Sequence, residues 1–415
     1  MSEISLERRL EAAAPGAWEL YRKEGSSRET WRAGRERFDS FRRETGVAAR
    51  WWDPAPRFAA AGSPEALSRA MGLASEPAVG PASPPAWPTG TSAAEDLPEF
   101  ESPPELAEEL GRLVAAESRG EATLSALTLR RGVTLERVVN ARGLDVAWKS
   151  EATTGVAEAV GRRGSRSCEA RAVFRWDAAG DLTGLARRLS DRATLPLSDR
   201  ASPIDRGEWL LDVSVTAALL AGIAPLFVRD DPPPWALRAD VLQPDLSLVD
   251  DATPDAPFDG EGTRSRRVVL VENGIRRGEL HDLASAGRSG ASPTGHGVRR
   301  SYRTPPTRSP RRLFLESIRP RPQRDLLATV RRGLFAAALT TPLLCDLEND
   351  RYEAEFTGVV VVAGRAQGPV AAARSRGRIS ELLRRIAAIA PEQEFLPSPY
   401  PIGGTAALVE RATFL

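Results

Sequence analysis

The stretch DDATPDAPFDGEGTRSRRVVLVENGIRRGELHD, residues 250–282, sets a carboxylate-rich loop, broken by Pro and Gly, directly ahead of a hairpin pattern. In its second half alternating apolar residues flank Asn273-Gly274, a dipeptide that accepts the positive φ angles of a two-residue turn. RRVVLVENGIRRGEL therefore predicts two antiparallel strands. The first half gathers Asp250, Asp251, Asp255, Asp259 and Glu261. Such a group can chelate a hard cation such as calcium, but Pro254 and Pro257 favour a rigid, solvated turn. The stretch raises a question, because the chain carries only 2 histidines with which to do chemistry. A lone imidazole lacks the partners that metal binding or nucleophile activation demands, so His281 and His296 both read as ordinary hydrogen-bonded residues.

Downstream, YEAEFTGVVVVAGRAQGPV forms a second hairpin pattern turning near Gly364, RDLLATVRRGLFAAAL and RISELLRRIAAIA read as helices, and GGTAALVERATFL reads as a last strand. Upstream, EWLLDVSVTAALLAGIAPLFV runs from a strand into a helix apolar on nearly every face, which must be buried. The first seventy-five residues predict a helix near Leu6 to Ala13, short strands in AWELYRK, ETWRAGR and VAARWW, and a helix in SPEALSRAMGLAS opened by Ser-Pro. Residues 76–104 are so rich in Pro and Ser that they predict an exposed, mobile loop or linker. A helix in ELAEELGRLVAAES then leads into ATLSALTLRR, VTLERVVNARG, LDVAWKSEATTGVAEAVGRR and CEARAVFRW. Their period-two patterns describe an antiparallel meander with a tight turn at NARGLDV. A helix in DLTGLARRLSDRAT follows. No period of 20–50 residues repeats, which excludes solenoids and propellers.

These elements define an α+β fold with two domains. Residues 1–205 would form an N-terminal mixed α/β domain with the antiparallel meander. Residues 206–415 would form a C-terminal, mainly antiparallel β domain with flanking helices. The 415 residues and 41% hydrophobic content suit two real cores. Basic and acidic residues nearly cancel, at 57 against 56, so no overall field draws the chain to nucleic acid or an anionic membrane. The longest apolar run, TAALLAGIAPLFV, is too short to span a bilayer and the start resembles no signal peptide. Cys168 and Cys345 show no CxxC spacing, so neither a disulfide framework nor a zinc knuckle is indicated, and a reducing cytoplasm is expected. No G-x-S-x-G elbow, phosphate loop or dinucleotide fingerprint occurs. Cys345, in TTPLLCDLENDRY, reads as a packed small hydrophobe.

The ordered series of DDATPDAPFDGEGTRSRRVVLVENGIRRGELHD and SPTGHGVRRSY resembles the signature of the TldD/PmbA proteins: an acidic D-D…F-D-x-E-G loop, a V-L-x-x-N-G hairpin, then a T-G-x-G turn. VVNARGLDVAWKSEATTGVAEAV resembles that family's N-terminal meander. YEAEFTGVVVVAGRAQGPV with RISELLRRIAAIA resembles its late hairpin and helix. The likeness spans most of the chain and is weakest over residues 1–30 and the Pro-rich segment. It implies a two-domain protein working in a heterodimer that trims unfolded peptides. In such pairs a TldD-type catalytic subunit holds zinc through an H-E-x-x-x-H helix and a late cysteine, and a PmbA-type subunit, also called TldE, lacks them.

On that resemblance the zinc motif falls on AGIAPL, with Ala221 and Leu226 where the histidines would stand and Gly222 where the glutamate would stand. The late cysteine would fall within EFLPSPYPIGG, which has none, and Cys345 lies too early in the chain to replace it. Catalytic zinc needs three protein ligands and an open position. The resemblance therefore implies a PmbA-type subunit with no catalytic residues, no metal and no cofactor of its own, zinc being expected only in a TldD-type partner. The peptide would add as a strand at the C-terminal hairpin edge, with Asp259, Glu261, Asn273, Gly274, Thr294 and His296 as candidates for the cleft. Two other readings remain open: a structural or scaffolding homodimer that cleaves nothing and binds a partner through residues 76–104, and an active metallopeptidase with an atypical metal site.

Overall fold

A computed structural model describes residues 3–34, 36–74, 84–92, 106–176, 182–197, 204–397 and 400–414. The chain folds as α+β around three large sheets. The first is seven-stranded and takes its strands from residues 18–176. Its order is Ala55–Ala61, Glu36–Asp53, Trp18–Ala33, Ala122–Asn140 and Leu144–Arg163, and both Gly90–Ser92 and Arg166–Trp176 pair with the last of these. Except for the Gly90–Ser92 pairing, which is parallel, all neighbours are antiparallel, as the meander pattern predicts.

The strands are longer than local sequence suggests. AWELYRK and ETWRAGR belong to one 16-residue strand, and ATLSALTLRR and VTLERVVNARG to one of 19. The polar, Gly-bearing joins EGSSR and RRG look like turns by propensity. Paired on both sides in the sheet, however, their backbone groups are satisfied in extended form: Gly25 faces Glu44 on one side and Thr134 on the other. Two helix pairs cover parts of one sheet face. Leu6 and Leu10 of Glu3–Ala13 join Leu67 and Met71 of Pro64–Leu73 over Leu20, Val47 and Trp51. Leu110 and Val114 of Leu106–Glu117 join Leu185 and Leu189 of Leu182–Thr194 over Ala157, Ala172 and Phe174. The Pro-rich segment is described only at residues 84–92, and there it departs from the expected exposed linker. Trp87 is buried, its ring 5.5 Å from that of Trp52, and Gly90–Ser92 is a strand. The predicted mobility of the rest lies outside the described residues.

The other two sheets take all their strands from residues 206–413. One is six-stranded, running from Ile275–Arg276 through Arg267–Glu272, Leu246–Asp251, Leu313–Ser317 and Ile402–Gly404 to an edge at Glu394–Leu396. The other is seven-stranded and centres on Arg206–Leu211, Arg332–Leu339, Arg351–Val362 and Ala407–Thr413. The expected NG hairpin is present, with Asn273 at φ 48° and Gly274 at φ 83°. So are the Arg351–Val362/Arg365–Gly377 hairpin turning at Gly364 and the final strand.

Two of the predicted helices are corrected. Only Gln323–Thr329 and Ile379–Arg384 are helical, while RGLFAAAL and IAAI are strands. Ala-rich segments favour helix locally, but Arg332–Leu339 lies between two strands, and a side chain at Gly333 would sit 2.0 Å from the Glu208 carbonyl oxygen. Sheet packing wins over propensity there. The apolar helix Val213–Ile223 is buried as predicted, capped by Asp212, with Val215, Leu219 and Leu220 in a core that also holds Leu248 and Leu313 of one sheet and Trp209 and Phe356 of the other.

Candidate functional site

The acidic loop is not a solvated turn. Asp250, Asp259 and Glu261 are 0, 2 and 1% exposed, which corrects the sequence expectation. The loop packs on the first sheet: Ala256, Phe258 and Tyr302 meet Tyr21, Ala48, Val138, Leu144, Val146 and Trp148. Two glycines permit this approach. A Cβ on Gly262, whose φ is 74°, would lie 2.4 Å from Leu144 Cδ2, and one on Gly46 would lie 2.3 Å from the Tyr302 ring.

Burial obliges the carboxylates to find partners, and each does. Arg50 Nη2, on the second strand of the first sheet, donates to Glu261 Oε1 and Glu19 Oε2, both at 3.0 Å. Arg299 pairs with Glu19, donates through Nε to the Gly260 carbonyl at 2.7 Å, and lies over the Tyr21 ring. The second oxygen of Glu261 accepts from the Leu283 N–H at 2.8 Å. Asp259 accepts three main-chain bonds, from Glu261 and Thr263 at 2.9 Å and from Gly297 at 2.8 Å. Asp250 accepts from the Arg311 and Arg312 main chain and meets His296 Nε2 at 2.9 Å, while Thr294 Oγ1 lies 2.9 Å from His296 Nδ1. Asp255 takes Arg175 in a bidentate pair, together with Arg312. Burial first, and then proximity to other carboxylates, pushes Glu261 above the ordinary range, and Arg50 partly opposes this. Asp259 is likewise raised by burial. The loop is thus a charge-bonded seam joining residues of the first sheet to residues 250–312.

The six proposed cleft residues fall in two places. Asp259, Glu261, Thr294 and His296 come together in this seam. Asn273 and Gly274 lie beyond the far end of strand Arg267–Glu272, where Gly274 packs on the Leu242 carbonyl and the Asn273 N–H donates to Ser247 Oγ. Only Asn273 among the six is exposed.

The zinc-motif positions hold no donor. The buried helix stops at Ile223, Pro225 turns the chain into a single 3-10 turn, and Leu226 is buried in the core. Cys345, remote in sequence, is brought here by the pairing of Leu344–Asp346 with Arg351–Val362. A Cβ on Gly222 would lie 2.5 Å from its Sγ. Burial pushes the Cys345 thiol up to about 12, so it packs as a neutral thiol. Among the described residues no group of three His, Cys, Asp or Glu is placed to hold a metal ion. The donor set does not fit zinc.

Sequence reasoning missed a cavity of about 580 Å³ where residues 174–192 face residues 312–406. Two strand ends meet in its wall, Arg166–Trp176 at an edge of the first sheet and Glu394–Leu396 at an edge of the six-stranded one. Its other wall is helix Leu182–Thr194: Gly184, Leu185, Arg187, Arg188, Asp191 and Arg192 line it, at helical spacing, while Ala186 and Leu189 are buried outside it. A legible signal was therefore present, a polar stripe that looks like an ordinary solvated face. Most cations here are engaged. Arg192 donates to Asp212 and Ser214 at 2.7 Å, Arg188 pairs with Glu394, and Arg312 stacks 3.6 Å from the Phe395 ring centre. Asp191 is raised to about 6, by burial first and by the neighbouring Asp212 second.

Residues 232–415, somewhat under half of the chain, match the family model described as PmbA/TldA metallopeptidase C-terminal domain, which places that part of the chain in a metallopeptidase domain class. The fold is similar along the whole chain to that of TldE from Thermococcus kodakarensis, with TM-score 0.85, 19% identity and 99% of each chain covered. A structure described as a candidate modulator of a DNA gyrase from Thermotoga maritima gives TM-score 0.76 at 16% identity, covering 100% of both chains. Among curated proteins, the metalloprotease TldD homolog of Haemophilus influenzae is 28% identical over 161 residues, 37% of this chain and 33% of the relative. A metalloprotease of Methanothermobacter thermautotrophicus is 26% identical over 144 residues, 32% of each. The matched part spans a third or less of these curated relatives. Residues 232–415 thus carry a C-terminal domain of the TldD/PmbA family, and the fold of the whole chain is that of the TldE structure. Among the described residues no helix is long and apolar enough to cross a membrane.

Proposed function

We propose that this chain is the non-catalytic, PmbA/TldE-type subunit of a zinc metallopeptidase complex that cleaves unfolded peptides, and that it binds peptide and stabilises a TldD-type partner. The observation that carries the reading is the end of the buried helix. Ala221, Gly222 and Leu226 offer no imidazole or carboxylate, and the one nearby thiol is neutral and packed. A single chain so built has no means of polarising water on zinc. The division into domains at residues 205/206 belongs to the same reading.

A partner surface is available. From Glu36 to Thr45 the second strand is exposed apart from half-buried Ser40, and it carries Phe38 and Phe41 on opposite faces, 62 and 57% exposed. For the peptide, the cavity suits an added strand better than the NG hairpin does. The outer strand of that hairpin is two residues long and already bridged by Asp240, whereas Glu394–Leu396 and Arg166–Trp176 both end their sheets at the cavity. Asp259, Glu261, Thr294 and His296 then act as the support behind the peptide site.

The test is to purify the chain alone and together with a TldD-type protein carrying H-E-x-x-x-H. The expected outcome is far less than one zinc per isolated chain, no chelator-sensitive cleavage of an unfolded peptide by it, and a stable one-to-one complex that does cleave. Stoichiometric zinc with unaided cleavage would overturn the assignment. Failure to form the complex, with a stable homodimer instead, would favour a scaffolding role.

A further inference from the structure

The cavity holds an acid whose needs the described residues do not meet. Among the described residues Asp191 has no hydrogen-bond donor, although it lies half-buried on the cavity wall. The other acids on that wall that lie inward, Asp212 and Glu394, are each paired with an arginine. We propose that the cavity binds an alkylammonium or guanidinium group, with the Asp191 carboxylate as its counter-ion and the aromatic wall receiving its apolar stem. The assignment deepens the peptide reading, on which it rests for the source of that group: the basic side chain of a bound peptide.

Three features fix the sign of the ligand. An anion would need a free cation, yet Arg192 and Arg188 are committed to Asp212 and Glu394, and Arg175 and Arg312 to Asp255. The remaining arginines are rim groups: Arg187 and Arg324 are 62 and 86% exposed, so water and salt screen them. A cation, by contrast, supplies the donors that Asp191 lacks without displacing any pair. Trp176 and Phe335, both half-buried, line the same space together with Phe174 and Phe395, and an aromatic lining of this kind suits a methylene stem and a cationic head.

The site also predicts its own pH response. Asp191 faces Arg187 and Arg192 on its own helix, Glu117 on the neighbouring helix and Asp212 at the start of the buried helix. With its carboxyl held at about 6, it is ionised at neutral pH and loses its charge on mild acidification. Cation binding should therefore weaken as pH falls through that value.

The experiment measures binding to the full chain by fluorescence anisotropy with a short unfolded peptide bearing a central lysine. The same peptide with norleucine at that position, and free cadaverine as competitor, complete the set. The lysine peptide should bind at least about tenfold more tightly than the norleucine peptide near pH 7.5, an advantage of about 1.4 kcal/mol or more. That advantage should vanish near pH 5 and in Asp191→Asn. Equal binding of the two peptides would overturn the proposal and leave the peptide reading intact. Displaceable cadaverine binding with no binding of either peptide would keep the cation site and remove the peptide as its source. No binding of lysine peptide or cadaverine would overturn the site. The lysine and norleucine comparison uses the unaltered protein, so it stands even if Asp191→Asn folds poorly.

Discussion

Glu261 and Asp191 are both carboxyls lifted above their ordinary range by burial, and both lie where residues before 205 meet residues after it, yet the chain treats them in opposite ways. Glu261 has Arg50 on one oxygen and a main-chain N–H on the other. Asp191 has neither. A buried charge that is fully partnered marks structure, because removing any one partner strands the rest. A half-buried charge without donors, at the wall of an open cavity, marks a place kept for something else. The acidic stretch that looked like the functional centre is therefore the fastener, and the helix that looked like an ordinary amphipathic cover carries the candidate binding group.

The largest effect that would break this contrast lies in the seam. Arg50→Met leaves Glu19 and Glu261 buried with their shared cation gone, and should lower stability in urea unfolding by about 3–5 kcal/mol. A loss under about 1 kcal/mol would mean the network fastens nothing. The seam also has a pH signature. Glu261 and Asp259 bind protons more tightly folded than unfolded, so their contribution is complete below the ordinary carboxylate range and is lost as pH rises through their raised values. Thermal midpoints should therefore fall between about pH 5 and about pH 8, and Glu261→Gln should flatten that slope. Next in size is Gly262→Ala, which combines a positive φ with a Cβ driven against Leu144. It should cost about 2–4 kcal/mol, part of it recovered in a Leu144→Ala background.

Asp191→Asn should go the other way. Removing a charge that folding leaves without donors should stabilise the ligand-free protein by something on the order of 1–2 kcal/mol above about pH 6, with no gain below the ordinary Asp range, where both forms are neutral. Destabilisation at neutral pH would show that Asp191 has an internal partner after all, and the contrast with Glu261 would collapse.

Much of the fold was legible because its signals are local. The Asn273-Gly274 turn, the period-two alternation of residues 122–176 and the unbroken apolarity of Val213–Ile223 each specify one element. The strand at RGLFAAAL and the joining of AWELYRK to ETWRAGR were not legible, since neighbours supplied by distant sequence override helix and turn propensities there. The candidate site was legible in reverse. Five acids within twelve residues attract attention as chemistry, but no local rule says that Arg50, some 200 positions earlier, will bury with one of them. The stripe Gly184, Arg187, Arg188, Asp191 and Arg192 was visible, but only the opposing strand Glu394–Leu396 converts it from a wet surface into a wall.

A third way of handling polar groups appears at the end of the buried helix, where they are neither partnered nor reserved but absent. Ala221, Gly222 and Leu226 leave a site so apolar that a neutral thiol fills the space beside Gly222. If Cys345 is only a packing atom, Cys345→Ala should cost no more than about 1 kcal/mol and leave partner binding unchanged. Gly222→Ala, which gains helix propensity but drives its Cβ to 2.5 Å from Sγ, should be mildly destabilising alone and neutral or stabilising once Cys345 is Ala. That non-additivity, about 1 kcal/mol in a double-mutant cycle by urea unfolding, is the signature of direct packing. Strictly additive effects, or loss of partner binding in Cys345→Ala, would give the thiol a role beyond filling space.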